Sequence, residues 1–145
     1  GFKNNKGNEM TNLKKIVYFL NEVELIPPMT IDEFIQVYCK THGVSLEQIN
    51  ERKKNYARDG FKNTEKIHIS LCKFALYFFL YNRYALKYRE TAEIINKVNP
   101  VRKETAFYYI AKAEDLLTIS DVKFKEIYDK TIFNLCNYVN TRNKR

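Results

Sequence analysis

The side chains best suited to chemistry lie at the start of a helix that the sequence predicts over about residues 100–117. Arg102 and Lys103 come first, and the intervals that follow place Arg102, Thr105 and Lys112 on one side of the helix. Basic groups at a helix N-terminus suit phosphate oxygens, and an arginine also pairs with the edge of a guanine. The pattern therefore favours contact with a nucleic acid, while spacing alone leaves open an ordinary helical hairpin with exposed basic residues.

The positive charge is concentrated in the segment that contains this helix. Residues 50–112 carry 14 basic and 6 acidic side chains, a net charge of +8 that equals the net charge of the whole chain. Concentrated positive charge is typical of proteins that bind a polyanion, because each neutralised phosphate releases condensed counterions. Lys87 and Arg89, upstream of the helix, complete the candidate DNA-binding residues of this segment. A solvated lysine-rich surface is the alternative that composition leaves open.

The sequence offers little for catalysis or nucleotide binding. The four glycines, Gly1, Gly7, Gly43 and Gly60, are too widely spaced to form a phosphate-binding loop. No serine lies in a nucleophile elbow, and neither histidine has the adjacent cysteine or serine of a covalent mechanism. We therefore expect a protein that is not an enzyme and that binds no nucleotide and no cofactor.

The cysteines and histidines form no familiar metal-binding pattern. Cys39, Cys72 and Cys136 include no C-x-x-C pair, and each lies within an apolar helical pattern. No metal site is expected at His42 or His68. We therefore expect that the three thiols are buried and reduced and that the protein is cytoplasmic.

Helical periodicity dominates the chain, and no segment shows the two-residue alternation of a half-buried strand. The sequence therefore predicts an all-α fold of about seven helices. The longest nearly unbroken apolar run, Phe74 to Tyr81, is far shorter than the roughly 20 residues that cross a bilayer, so no membrane span is expected.

Start and stop signals set the expected boundaries of the first three helices. The apolar pattern of the first helix starts at Leu13, and that helix ends at Pro27. Two capping boxes, which begin at Thr30 and Ser45, open the second and third helices. Gly43 lies between them and suits a left-handed helix end.

The later boundaries depend on weaker signals. Thr64 is the expected cap of a long apolar helix, and its apolar residues on nearly every face predict the central helix of the core. A short helix is expected from Tyr88 to Val98, with Pro100 in the first turn of the next helix. Ser120 is the expected cap of the last helix.

One domain is expected for the chain as a whole. Residues 1–9 are polar and predict a flexible N-terminal segment, residues 10–139 form a single helical domain, and residues 140–145 form a basic tail.

Part of this domain resembles a known family. The run from Thr30 to Ile49, followed by the basic residues Arg52, Lys53 and Lys54, resembles the start of the C-terminal DNA-binding domain of the bacterial replication initiator DnaA. In that family an amphipathic helix, a Gly-Val-Ser-Leu-Glu turn and a basic loop come in this order.

The resemblance continues downstream and covers about residues 30–117. The segment Lys73-Phe-Ala-Leu-Tyr77 is similar to the R-Q-I-A-M-Y helix of the family, and Ala92-Glu-Ile94 is similar to its P-E-I-G segment. Arg102 to Thr105 loosely resembles its G-R-D-H-T-T-V recognition signature.

The resemblance implies a Trp-repressor-like helix-turn-helix bundle with extra N- and C-terminal helices. It also implies that Arg52, Lys53 and Lys54 enter the minor groove while the recognition helix contacts the major groove. The expected function is then non-catalytic binding of double-stranded DNA, in replication or its regulation on a phage or mobile element. The alternative is a helical protein-interaction module that has lost DNA binding, and the terminal helices are the expected site of a protein partner.

Overall fold

The computed structural model describes the backbone of residues 2–51 and 63–143 and the side chains of residues 11–51 and 64–138. Within these residues the chain forms seven helices and no strand, which confirms the all-α prediction. The helices are α1 (Phe2–Glu24), α2 (Ile31–His42), α3 (Leu46–Asn50), α4 (Asn63–Arg83), α5 (Tyr88–Ile95), α6 (Lys103–Thr118) and α7 (Val122–Asn143).

Helices α2 and α3 begin at the two capping boxes that the sequence predicts. The Thr30 hydroxyl accepts a hydrogen bond from the Glu33 N–H at 3.1 Å, and the Glu33 carboxylate accepts one from the Thr30 N–H at 3.3 Å. Ser45 and Gln48 repeat this arrangement at 3.1 and 3.0 Å. Between the helices Gly43 has a φ of 64°, a left-handed conformation that glycine adopts without a Cβ penalty.

Helices α1 and α4 begin earlier than the sequence predicts. Helix α1 begins at Phe2, within the predicted N-terminal segment and well before the apolar pattern that starts at Leu13, because an apolar pattern marks the packed part of a helix and not its first turn. Helix α4 begins at Asn63, so Thr64 lies inside the helix and the prediction that it is the cap is wrong. The flexibility expected for residues 1–9 stays a prediction.

The start of α7 also corrects the prediction. Ser120 has a φ of 56°, a left-handed conformation, whereas an N-cap residue needs an extended backbone. Asp121 takes the capping role, because its carboxylate accepts a hydrogen bond from the Phe124 N–H at 3.0 Å. Its carbonyl then accepts the first helical bond, from the Lys125 N–H at 2.9 Å.

Helix α4 is the centre of the core, as its apolar composition predicts. It contacts each of the other six helices, and residues 72–80 are all buried. The ring of Phe79 stacks on Tyr128 of α7 with centroids 5.3 Å apart and lies 6.0 Å from Phe34 of α2. Burial of these aromatic rings contributes much of the apolar stabilisation of the fold.

The polar groups buried where α2, α4 and α7 meet have hydrogen-bond partners. The Tyr38 hydroxyl donates to the Cys72 carbonyl at 2.6 Å. The Thr131 hydroxyl donates to the Ile127 carbonyl at 2.7 Å, so its oxygen accepts from His42 Nε2 at 2.7 Å. We call this packed region the α2–α7 side.

The environment of His42 keeps its ring neutral at neutral pH. Burial, followed by the nearby charges of His68 and Lys130, lowers the pKa of His42 to about 4. The structure thus gives this histidine a packing role.

The cysteines are free thiols and only Cys72 is fully buried, whereas Cys39 and Cys136 are half-buried. The structure brings Cys72 Sγ within 3.6 Å of His68 Nε2, a pairing that the sequence analysis missed although the residues are four apart. Burial, followed by the influence of Cys39, raises the pKa of Cys72 to about 12, so this sulfur is a protonated thiol and not a nucleophile.

None of the described helices combines the length and the apolarity that crossing a bilayer requires.

Candidate nucleic-acid interface

The connection between α5 and α6 positions the predicted DNA-binding residues. It spans residues 96–102 and is longer than the turn of about 3–4 residues that is typical of a helix-turn-helix. Its first part is a local turn, in which the Asn96 side-chain oxygen accepts a hydrogen bond from the Asn99 N–H at 3.0 Å. Helix α5 therefore ends before Val98, earlier than the sequence predicts.

Arg102 is the N-cap residue of α6 and not a residue of its first turn. Its backbone is extended, with φ −65° and ψ 154°, and its carbonyl accepts the first helical bond, from the Ala106 N–H at 3.0 Å. Because an extended N-cap residue ends the non-helical connection, α6 begins at Lys103. The prediction that Pro100 occupies the first turn is wrong.

Three of the predicted residues line one shallow groove, which we call the Arg89 groove. Arg89, Arg102 and Lys103 line it together with Glu93 and Glu104, and its volume is about 250 Å³. The three basic side chains are exposed and make no hydrogen bond or ion pair with the part of the chain that the structure describes. Exposed cations without a protein partner are available to phosphate oxygens.

A larger cavity, which we call the α6 cavity, shares Arg102 with this groove. It has a volume of about 410 Å³ and lies among the end of α3, the middle of α4, the α5–α6 connection and the start of α6. Its polar lining residues are Asn50, Glu51, Lys73, Tyr77, Asn96, Asn99, Arg102, Thr105 and Tyr109.

The walls of the α6 cavity are held together by defined contacts. The Asn50 side-chain amide donates to the Ile95 carbonyl at 2.9 Å and so joins α3 to α5. The rings of Tyr77 and Tyr109 meet edge to face with centroids 5.0 Å apart and join α4 to α6. Thr105, one of the predicted DNA-binding residues, is half-buried in this wall.

Lys73 is a basic residue of this region that the sequence analysis did not place among the site residues. Only 7% of Lys73 is exposed, and its Nζ lies 4.6 Å from the centroid of the Tyr109 ring, a cation–π contact. The signal that could have found it is a single charge directly before the apolar run Phe74 to Tyr81 of α4, since a buried lysine is rare unless something pairs with it.

Two other predicted residues lie apart from these two openings. Lys87 is the exposed N-cap residue of α5, and its backbone N–H donates to the Glu90 carboxylate at 2.8 Å. Lys112 is half-buried on α6 and lines neither the Arg89 groove nor the α6 cavity. At about 100° per residue, Lys103 and Lys112 point to opposite sides of α6. The structure therefore does not unite all the predicted basic residues on one face.

The basic residues Arg52, Lys53 and Lys54 lie outside the described residues. Helix α3 ends at Asn50, and the extended backbone of Glu51 follows it.

The outward surface of α6 beyond its first turn is not basic. Phe107 and Tyr108 are 53% and 57% exposed, and the carboxylates of Glu104 and Asp115 flank them on the same surface. The Phe107 ring packs edge to face against Tyr88 of α5 at 5.4 Å. This outward surface of α6, beyond the first turn, therefore does not favour contact with a polyanion.

No protein-family model, curated protein or solved structure matches this chain. Among the described residues, no group of three or more His, Cys, Asp or Glu side chains is arranged to hold a metal ion.

Proposed function

We propose that this protein is a non-catalytic module that binds double-stranded DNA through the α5–α6 pair. The observation that carries the proposal is the Arg89 groove, where Arg89, Arg102 and Lys103 converge at the start of α6 and have no hydrogen-bond or ion-pair partner among the described residues. The positive end of the α6 dipole lies at the same place, so the side chains and the backbone favour a phosphate together.

In this proposal α5 and α6 act as a Trp-repressor-like helix-turn-helix whose base contacts come from the first turn of α6. Arg102 pairs with a guanine or a phosphate, and Thr105 contacts a thymine methyl group or a phosphate. Lys87 and Lys112 contribute backbone phosphate contacts at the edges of the interface. The basic run from Arg52 to Lys54 follows the minor groove, as the resemblance to the replication initiator implies, and the function belongs to replication or its regulation.

The first experiment is a fluorescence-anisotropy titration of a mixed-sequence duplex at several salt concentrations. About six phosphate contacts give a slope of log K against log salt of about −5, because each contact releases condensed counterions. A slope near zero contradicts the proposal.

A pair of matched variants makes this test specific to the groove. Arg102→Gln removes a cation from the groove and is expected to weaken binding to a preferred site by about 1–3 kcal/mol. Lys125→Gln removes a cation from α7, outside the groove, and is expected to leave binding unchanged. Equal duplex affinities for the wild type and both variants would show that Arg102 is not part of the interface.

A second candidate function, a helical protein-interaction module, is favoured by the exposed rings of Phe107 and Tyr108. Leu13, Val17 and Tyr18 of α1 are also exposed, which suits a partner at the terminal helices. Binding of the duplex by Phe107→Ser with wild-type affinity and salt slope supports the DNA proposal. If the wild type does not bind the duplex, the protein-interaction module becomes the favoured function.

A further inference from the structure

We propose that the outward surface of α6 is a docking site for a basic peptide segment of a partner protein, whose arginine or lysine side chains lie on exposed rings and pair with carboxylates. This α6 outer surface consists of Phe107, Tyr108, Ala111, Glu114 and Asp115, which recur every three or four residues and so share one side of the helix. The inference goes beyond the proposed DNA contacts, which use the basic residues at the start of α6, and it does not depend on them.

Two exposed rings give this surface its apolar contact area. Phe107 and Tyr108 are 53% and 57% exposed. The Phe107 ring is held in place by Tyr88, which packs against it at 5.4 Å and itself stacks on Tyr81 with centroids 4.8 Å apart. A ring that is fixed before binding loses little conformational freedom on binding, and the face of such a ring attracts a cation.

The carboxylates of Glu114 and Asp115 identify the charge of the partner. Neither forms an ion pair with the described residues, and neither does Lys112, the neighbouring cation on α6. Glu114, Asp115 and Lys112 together have a formal net charge of −1, in a chain whose net charge is +8. An exposed apolar surface with unpaired carboxylates at its edge matches a cationic partner.

The position of these two carboxylates is unfavourable for negative charge. They are adjacent near the C-terminal end of α6, where the helix dipole is itself negative, and the last turn contains no basic residue. Lys15 of α1 donates to the Thr118 carbonyl at 3.0 Å but pairs with neither carboxylate. Burial, followed by the charge of Asp115, raises the pKa of Glu114. A cation from a partner relieves each of these penalties, whereas they contribute nothing to the stability of the free protein.

A basic peptide matches both the rings and the carboxylates. Arginine and lysine combine a cation for a carboxylate with a stem or guanidinium plane that packs on an aromatic ring. The surface is about 12 Å long from Phe107 to Asp115, because a helix rises about 1.5 Å per residue, and roughly four extended residues span this distance. A nucleic acid or an anionic membrane would meet the same carboxylates with like charge.

The test is a fluorescence-anisotropy titration of the full chain into a labelled peptide in which arginine alternates with alanine. Alternation places all the arginines on one side of an extended chain. The comparison peptide has glutamine in place of every arginine. The wild type is expected to bind the arginine peptide saturably and the glutamine peptide far more weakly. Equal affinities for the two peptides overturn the proposal.

Variants of each component locate the binding to this surface. Phe107→Ser is expected to weaken binding of the arginine peptide by roughly fivefold, because a cation–π contact is lost. The double variant Glu114→Gln/Asp115→Asn is expected to weaken it by a similar factor, because two ion pairs are lost. Wild-type affinity in either variant overturns the proposal.

Phe133→Ser is the matched control. Phe133 is 67% exposed on α7, and the nearby carboxylate of Asp129 is already paired with Lys125. This variant removes an exposed ring without an unpaired carboxylate beside it, so it is expected to bind the arginine peptide as the wild type does. Equal weakening by Phe133→Ser and Phe107→Ser would show that the peptide binds exposed rings in general, and it would overturn the proposal.

Thermal unfolding without peptide distinguishes binding from folding. Glu114→Gln/Asp115→Asn is expected to melt at the wild-type temperature or higher, because two unpaired negative charges are removed from the C-terminal end of a helix. A lower melting temperature would show that these carboxylates stabilise the fold and would contradict the proposal.

Two further measurements distinguish other occupants and the proposed function. Sedimentation that shows a wild-type dimer, absent in Phe107→Ser, identifies a second copy of the chain as the occupant and overturns the proposal. Arginine-peptide binding without duplex binding supports the proposal and overturns the proposed function. Duplex binding without arginine-peptide binding does the reverse.

Discussion

Buried polar groups differ between the α2–α7 side of this protein and the opposite region, where α5 and α6 pack on α4. We call that region the α5–α6 side. On the α2–α7 side, the Tyr38 hydroxyl and the His42 ring each have a hydrogen-bond partner 2.6–2.7 Å away. On the α5–α6 side, Tyr77 is equally buried but its hydroxyl has no described partner. The exposed Arg89 and Arg102 of this side make no ion pair with the described residues. A region that serves only stability satisfies its polar groups internally, whereas a binding region keeps donors for its ligand. The comparison therefore supports the proposal that the first side serves stability and the second side serves binding.

Truncation of a core ring gives the largest expected effect on stability. Phe79 is fully buried between rings of α2 and α7, so Phe79→Ala leaves a cavity and is expected to lower the free energy of unfolding by about 3–5 kcal/mol. Phe107→Ala on the outward surface of α6 is the control, with an expected loss below about 1 kcal/mol. Urea denaturation of both variants measures the difference, and similar losses would contradict the division of the molecule into two sides.

Acidification is expected to weaken the α2–α7 side next. The folded-state pKa of His42, about 4, lies below the ordinary value of 6.5, so between these values the unfolded chain binds more protons than the folded chain. The contribution of neutral His42 to stability is intact above pH 6.5 and falls progressively as the pH drops to 4, by about 2–3 kcal/mol in total. Urea denaturation from pH 7.5 to 4 measures this slope.

The variant His42→Gln distinguishes the contribution of this histidine to the pH dependence of unfolding from that of the carboxylates, which also titrate as the pH falls. Glutamine has no titration in this range and retains an N–H donor for Thr131. The pH dependence of unfolding between 6.5 and 5 is expected to flatten in this variant. An unchanged slope would show that His42 does not carry it.

Removing one hydroxyl from each side gives a smaller effect and tests the comparison directly. Tyr128 donates to the Phe19 carbonyl at 3.0 Å, so Tyr128→Phe is expected to lower the free energy of unfolding by about 1 kcal/mol. Tyr77→Phe removes a hydroxyl with no described partner and is expected to leave the free energy of unfolding unchanged or to raise it slightly. A loss of 1 kcal/mol or more in Tyr77→Phe without ligand would mean that this hydroxyl serves the fold.

The sequence predicts the local features of the fold well, because their causes lie within a few residues. The bonds of Thr30 and Ser45 form with residues three positions away, and Gly43 needs only its own backbone freedom. The central position of α4 also follows from the sequence, because a helix that is apolar on nearly every face must be surrounded.

The candidate site is predicted less completely, because it depends on residues far apart in the chain. Arg102 and Lys103 are identifiable from charge, but their convergence with Arg89 depends on how the α5–α6 connection folds back. Tyr77 resembles any other core aromatic in the sequence, and only the packing of α4 against α6 leaves its hydroxyl without a described partner. Lys73 was detectable as a charge next to an apolar run, but the cavity that it lines was not.

Removing a single cation from each side gives the smallest expected effect on stability. Lys125 forms an ion pair with Asp129 at 2.6 Å, four residues apart on α7, and such exposed pairs contribute up to about 0.5 kcal/mol. Arg102 has no such pair with the described residues, so Arg102→Gln is expected to change the free energy of unfolding even less than Lys125→Gln does. Urea denaturation at 50 and 500 mM salt checks this, because only the Lys125 pair has an attraction that salt can screen. A measurable, salt-sensitive loss of stability in Arg102→Gln would mean that Arg102 already has a partner inside the protein, and it would remove the main reason for placing the binding site at the start of α6.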